Sequence, residues 1–315
     1  MKYKFIENVP KEEYIKFFNS FKYSHFLQSY AWGEAFKETR GKIPCYIGLK
    51  DEKNNLVAAA LLLKKNMPLG LCYYYCSRGY LIDFKDKELL KTFTEEIKKY
   101  IKKTNAIYLK INPEIMYQEI DKDGNRIEKG KNNIDIFNNL INLGYKHQGF
   151  VKLYENNEPR YTFRRYFEQY ENMDDIKKSI SKTFMQTVHR SYSYNLKINL
   201  NSNVEHFFEL NKSNAAKDEF IQYSDEFYKK LYEYGKKYKN VLVFDVSVNG
   251  KELYEETLKN HEKIKDDFDK GLIKKKNKAD SLDKLKRLEK ELKMFEPYKE
   301  EENLTLCSLI NGIAN

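Results

Sequence analysis

The chain has 315 residues, 41% of them apolar and 33% charged, and a formal net charge of +10. That balance excludes a disordered chain, and the length suits about two domains. A bilayer-spanning helix is excluded too, because it needs roughly 20 apolar residues, whereas the longest apolar run, "LVAAALLL", covers only residues 56–63.

The opening "KYKFIEN" alternates polar and apolar residues and predicts a strand. Pro10 then begins "PKEEYIKFFNSF", where proline suits a first helical turn and Tyr14, Phe17, Phe18 and Phe21 share a face. Ser29 can cap "YAWGEAFKE", with Trp32, Ala35, Phe36 and Thr39 on one stripe. "IPCYIGLK" and "LVAAALLLKK" flank the turn-like "DEKNN" and predict a hairpin. "LCYYYC" predicts a strand ending at Ser77-Arg78-Gly79. "KELLKTFTEEIKKYIKK" predicts an amphipathic helix with Leu90, Phe93, Ile97, Tyr100 and Ile101 inward, and "AIYLKI" a strand halted by Asn112-Pro113. This order describes a mixed α/β domain over residues 1–149.

A second unit starts near Phe150 and runs to about residue 250. "VKLYE" and "RYTFRRYFE" are strand candidates, and "MDDIKKSISKTFMQTVHRSYSY" predicts a long basic helix. "LKINL" predicts a strand, "VEHFFELNKSNAAK" and "DEFYKKLYEYGKKY" two helices, and "NVLVFDVSV" another strand. The two units share a rhythm of elements, so two related folds in tandem are expected.

Residues 251–300 change character. Leu285, Leu288, Leu292 and Phe295 step by coiled-coil seam spacing, with a looser stripe at Leu258, Ile264 and Phe268 and a polar turn in "DKGLIKKKNKADS". An antiparallel helical hairpin about 30 Å long is predicted. The last segment, residues 301–315, holds the strand-like "LTLCSLINGIAN".

Chemistry is sparse. No Gly-x-Ser-x-Gly, His-Glu-x-x-His or phosphate-binding glycine loop is present, and Cys45, Cys72, Cys76 and Cys307 lack metal-ligand spacing. The cysteines read as reduced thiols of a cytoplasmic protein, and "MKYKFIENVP" lacks the apolar segment of a signal peptide. Any catalysis is expected to work by positioning and electrostatics. Four candidate sites stand out, each with a plainer alternative. Trp32 and Lys37 can line a cleft, or Trp32 can fill the core while Lys37 is solvated. Arg78 can meet an anion, or pair with Asp83. The basic helix carrying Lys177, Lys178, Lys182, His189, Arg190 and Lys197 suits a phosphate backbone, or is a solvated face. "KKKNK", with Lys274, Lys275 and Lys276, marks the tip of the arm, or is a loop in water.

Taken in order, "FLQSYAWGEAFK", "SRGYLIDFKD", "IYLKINPE", "KTFMQTVHRSYSYNLKI" and "HFFELNKSNAAKDEF", followed by the helical hairpin after "VLVFDV", resemble the Fem family of peptidoglycan-bridge aminoacyltransferases. The resemblance spans essentially the whole chain and lies in the order of the pieces more than in any one motif. It implies two acetyltransferase-like (GNAT-like) subdomains and an arm like that of seryl-tRNA synthetase. It implies transfer of Gly, Ala or Ser from aminoacyl-tRNA to the stem-peptide amine of a cell-wall precursor, lipid II or UDP-MurNAc-pentapeptide. No metal or organic cofactor is implied. Both substrates are polyanions, which gives the positive charge a use.

Carried over residue by residue, the family's phosphate-contacting Lys that follows a Trp matches Lys37 after Trp32. A family Arg in an "Arg-Asp-Gly-Phe"-like turn matches Lys217 of "KDEF", which keeps charge but loses the guanidinium fork. The resemblance thus assigns Trp32, Lys37 and Lys217 to the precursor; the strand-end turn adds Arg78 to them, and the basic stretches give Lys178, Lys182, Arg190, Lys274, Lys275 and Lys276 as the residues expected to meet tRNA. Two positions depart from the pattern: Asn112 stands where the family has Asp, and Met185 where an Arg is common. Family members continue for about half a domain beyond the arm, so an incomplete second subdomain, low stability alone or a family-member partner is expected. Peripheral contact with the inner membrane face is a further expectation. Alternatives are an inactive member serving as a binding subunit, and a tRNA-binding module.

Overall fold

The computed structural model describes residues 2–121, 123–150, 161, 165–192, 194–200, 204–218, 222–274 and 277–314. The chain forms two compact units: Met1–Thr162 with Ile221–Leu242 and Asn311–Asn315, and Phe163–Phe220 with Val243–Ile310.

The first unit is built on a five-stranded sheet of order β1-β2-β3-β4-β5: β1 (Lys4–Ile6), β2 (Ile43–Lys50), β3 (Leu56–Asn66), β4 (Cys72–Ser77) and β5 (Ala106–Asn112). The first four strands pair antiparallel. β4 and β5 run parallel, joined through helix α3 (Lys87–Lys102), because a parallel return needs a crossover.

β3 reads as an unbroken apolar run because both its faces are covered. Successive side chains point to opposite faces, and the two cores follow that rule. Ala58, Ala60 and Leu62 pack with Ile47, Leu90, Phe93 and Ile97 toward α3. Ala59, Leu61 and Leu63 pack with Tyr14 and Phe18 of α1 (Lys11–Ser20) and with Ala35 and Phe36 of α2 (Tyr30–Arg40).

Ser29 caps α2 as its spacing predicts, its Oγ accepting the Trp32 N–H at 3.2 Å. Gly41, at φ +59°, closes the helix in the left-handed conformation that favours glycine. Helix α4 (Ile134–Asn142) has no counterpart among the sequence expectations. Helix α8 (Asp225–Tyr238) also belongs to this unit, where Phe227 and Leu231 enter the core beside α2.

The second unit holds a three-stranded sheet of order β6-β7-β8, from Lys197–Leu200, Val241–Val248 and Leu304–Gly312. The long basic helix expected over 173–194 is instead two helices, α5 (Met173–Lys178) and α6 (Lys182–Tyr192). Serines cause the break. Ser179 Oγ donates to the Ile176 carbonyl at 2.6 Å, and Ser181 Oγ accepts the Phe184 N–H at 3.3 Å, ending one helix and starting the next. The strand candidate at 151–155 and residues 160 and 162–164 of that at 160–168 lie outside the described residues, and residues 161 and 165–168 are not in a strand.

Helix α7 spans Val204–Asp218. The arm is present as α9 (Gly250–Asp269) and α10 (Lys278–Phe295). Its antiparallel register shows in cross-links that rise along one helix as they fall along the other. Tyr254 OH donates to Glu296 Oε2 at 2.8 Å, and His261 Nε2 lies 3.6 Å from Glu289 Oε1. Leu288 of the predicted seam is buried.

Candidate functional site

In open α/β sheets ligands gather at the carboxyl ends of parallel strands. Here β4 and β5 end in register, Ser77 opposite Asn112. The chain then turns through Arg78, whose φ of +51° lies in the left-handed region. Asn112 holds that turn, its Oδ1 accepting the Arg78 N–H at 2.9 Å. The amide at 112 is thereby a structural acceptor rather than a proton carrier.

A buried glutamine pins the same turn from behind. Gln28 is fully buried. Its Nε2 donates to the Ser77 carbonyl at 2.6 Å, its Oε1 accepts the Leu61 N–H at 2.9 Å, and its own carbonyl accepts from Tyr14 OH at 2.8 Å. Gly79 is required beside it, because a Cβ there would sit 2.5 Å from Cys76 Sγ and 2.7 Å from Gln28 Cδ. Burial also pushes the Cys76 thiol up and out of the reactive range.

The ionisable groups at this edge come from two further residues. Glu114 follows Asn112-Pro113, and its Oε2 lies 3.6 Å from His25 Nε2. His25 Nδ1 accepts the Leu27 N–H at 3.1 Å. That bond fixes the neutral tautomer: the ring proton sits on Nε2, toward Glu114. Both side chains keep some solvent access, 30% and 22%. Arg78 is half-buried at the adjoining strand end. Together these residues supply a cation for an anionic group and a carboxylate–imidazole pair able to accept a proton.

Trp32 packs edge-on against Phe36 at 5.0 Å, Phe227 at 5.5 Å and Phe26 at 5.9 Å between ring centroids. Its Nε1 is buried with no hydrogen-bond partner among the described residues. Lys37 lies on the same helix about 140° round from Trp32 and is exposed, its Nζ 3.5 Å from Glu34 Oε2. Lys217 stands in the last turn of α7, exposed, in the second unit.

The predicted tRNA-binding residues also lie in the second unit. Lys178 is 3.5 Å from Asp175, Lys182 opens α6, and Lys274 is exposed between α9 and α10. Arg190 is 3.0 Å from Glu291 of α10, so part of the basic face is neutralised within the fold. Lys275 and Lys276 lie outside the described residues.

Sequence patterns gave His25 and Glu114 no role: His25 sits in no periodic or motif position, and Glu114, although it closes the "IYLKINPE" stretch, has no partner in that stretch to mark it. His206 reads from sequence as a surface residue. It is part-exposed, yet its Nδ1 lies 2.7 Å from Oδ2 of the buried Asp245. No described group of three or more His, Cys, Asp or Glu is arranged to hold a metal. Among the described residues, no helix is long and apolar enough to cross a membrane.

Comparison with known proteins agrees with this architecture. The structure is similar to the crystal structure of FemX, with a TM-score of 0.70 at 20% identity, covering 99% of this chain and 78% of that one. That likeness fits two tandem GNAT-like units carrying a helical arm. The sequence is 36% identical over 145 residues to the aminoacyltransferase FemA of Staphylococcus epidermidis, and 35% identical over 145 residues to that of Staphylococcus aureus. Each match covers 46% of this chain and 34% of the relative, so the chain spans about a third of the length of the curated relatives it matches. The model of the FemAB family matches residues 9–306, and the chain therefore belongs to the FemAB family.

Proposed function

We propose that the protein is an aminoacyltransferase that takes Gly, Ala or Ser from aminoacyl-tRNA and joins it to the stem-peptide amine of a peptidoglycan precursor. The reaction exchanges an ester for an amide. The amine nitrogen attacks the ester carbonyl carbon, a C–N bond forms and the C–O bond to the tRNA ribose breaks. The amine gives up a proton, and the departing ribose oxygen gains one.

An activated ester and an amine need no protein nucleophile. They need alignment and a proton acceptor. The observation that carries the reading is the Glu114–His25 pair, 3.6 Å apart, beside Arg78 at the carboxyl ends of two parallel strands. In this reading Glu114 accepts the amine proton, His25 fixes the carboxylate, and Arg78 and Lys37 face precursor phosphate. Lys217 serves the precursor as well. Lys178, Lys182 and Lys274 to Lys276 attract tRNA by charge. The reaction places the protein in the cytoplasm, with peripheral contact at the membrane face when lipid II is the acceptor.

A transfer assay tests this directly. The full chain is mixed with a pool of charged bacterial tRNAs and a cell-wall pentapeptide precursor, and the products are weighed by mass spectrometry. A product heavier by one amino-acid residue is expected, and its mass names the amino acid. No product from folded protein, with a full-length relative active alongside, rejects the reading.

A further inference from the structure

The first unit carries a polar concavity that the transfer reading does not use. A depression of about 270 Å³ opens between the start of α3 and α4, with Phe84, Lys85, Lys87, Asp135, Ile136 and Asn139 among its lining. Asn139 Nδ2 is buried and has no hydrogen-bond partner among the described residues. A buried amide donor is costly to leave unmet, so it calls for an acceptor. Lys85 and Lys87 are exposed, and among the described residues neither forms an ion pair. Phe84 and Ile136 add an apolar part, with Ile136 buried.

Charge narrows the ligand. Two ammonium groups against the single carboxylate of Asp135 leave an excess of one positive charge in the lining. One negative charge balances it, whereas a dianionic phosphate overshoots and meets Asp135. Shape narrows it further. A planar carboxylate offers one oxygen to an amide N–H and the other to an ammonium group. The volume falls just below the range of about 300–1,000 Å³ usual for drug-sized ligands, which suits a body of a few heavy atoms.

We propose that this depression binds a monocarboxylate with a short apolar body. Asn139 Nδ2 and the two lysines take the carboxylate, and Phe84 and Ile136 take the body. A free short-chain acid and the C-terminus of a peptide both present this chemistry.

The test uses the full chain with isoleucine δ1 methyls labelled, the Ile136 signal being assigned through Ile136→Val. Four probes are titrated: isobutyrate, N-acetylalanine, N-acetylalaninamide and inorganic phosphate. Saturable movement of the Ile136 signal by isobutyrate or N-acetylalanine is expected, with the amide at least tenfold weaker. The tighter of the two carboxylates identifies the source, free acid or peptide end. The double variant K85Q/K87Q should weaken carboxylate binding at least tenfold at an unchanged melting temperature, since both side chains are exposed. No movement with either carboxylate overturns the proposal. Equal movement with the amide or with phosphate overturns it, as does a double variant that binds as before. The readout is binding alone, so it stands or falls separately from the transfer reaction.

Discussion

The two sheets of this molecule solve the same problem with different means. In β3 six successive residues, Ala58 to Leu63, are at most 2% exposed, whereas all four residues of β6 are exposed, Ile198 at 68% and Leu200 at 67%. The first sheet is covered on both faces, and the buried Gln28 beside it is held from several sides. The second unit carries the exposed pair Lys178–Asp175 and the pair of exposed Arg190 with the more buried Glu291. A rigid, dry frame suits groups that must be placed to a fraction of an ångström. A solvated, charged one suits attraction of a polyanion at longer range.

Phe93→Ala probes the covered sheet most severely. Phe93 is fully buried between α3 and the strands, and its truncation should cost about 3–5 kcal/mol in denaturant unfolding. A loss below about 1 kcal/mol would show that the first unit is not the rigid partner. Glu114→Gln comes next. It keeps the shape of the side chain and removes the proton acceptor, so the transfer rate should fall about a hundredfold or more with the fold intact. An unchanged rate would move the proton acceptor away from the strand ends, and the His206–Asp245 pair of the second unit would be examined instead.

Alkaline titration sharpens the contrast further. Burial first, and then the Glu34 carboxylate, push Tyr30 from 10.0 up to about 12. Burial likewise raises Tyr14 and Tyr46 in the same region. The folded state favours the protonated phenols, so their contribution is complete below the unfolded value near 10 and is lost as pH rises toward 12. The melting temperature should therefore fall between those limits, and hydrogen exchange should report the loss first around α2. The smallest effect is expected at Arg190→Ala. Glu291 is only 13% exposed but keeps Tyr194 and Arg287 as partners when Arg190 is lost, and a pair at the surface is worth about 0–1 kcal/mol, so unfolding of the second unit should barely change, and a larger loss would mean that charge pairs hold it together.

What was legible in the sequence is what local chemistry encodes. The Ser29 cap and the Trp32–Phe36 stripe announce α2 because both signals lie within two helical turns. The arm is legible for the same reason, through its repeating leucines. Gln28 is not. Its partners lie 33 and 49 residues away, and a buried amide bonded to backbone leaves no pattern in the letters. Glu114 and His25 meet across 89 positions, again without a local signature. The split of the basic helix at Ser179–Ser181 was visible as two serines in a helical pattern, but their competition with the backbone outweighed the periodicity.

The place of α8 in the first unit has a consequence for how the protein is made. Phe227 and Leu231 complete a core that Tyr14, Ala35 and Phe36 begin. On the ribosome, that face of α2 emerges long before its cover, since 191 positions separate Phe36 from Phe227. At about 5–20 residues per second the delay is roughly 10–40 s. A nascent chain therefore carries an uncovered aromatic surface for seconds, the kind of surface that chaperones hold. Stalling translation between residues 162 and 225 should trap the first unit as a chaperone client rather than as a finished domain.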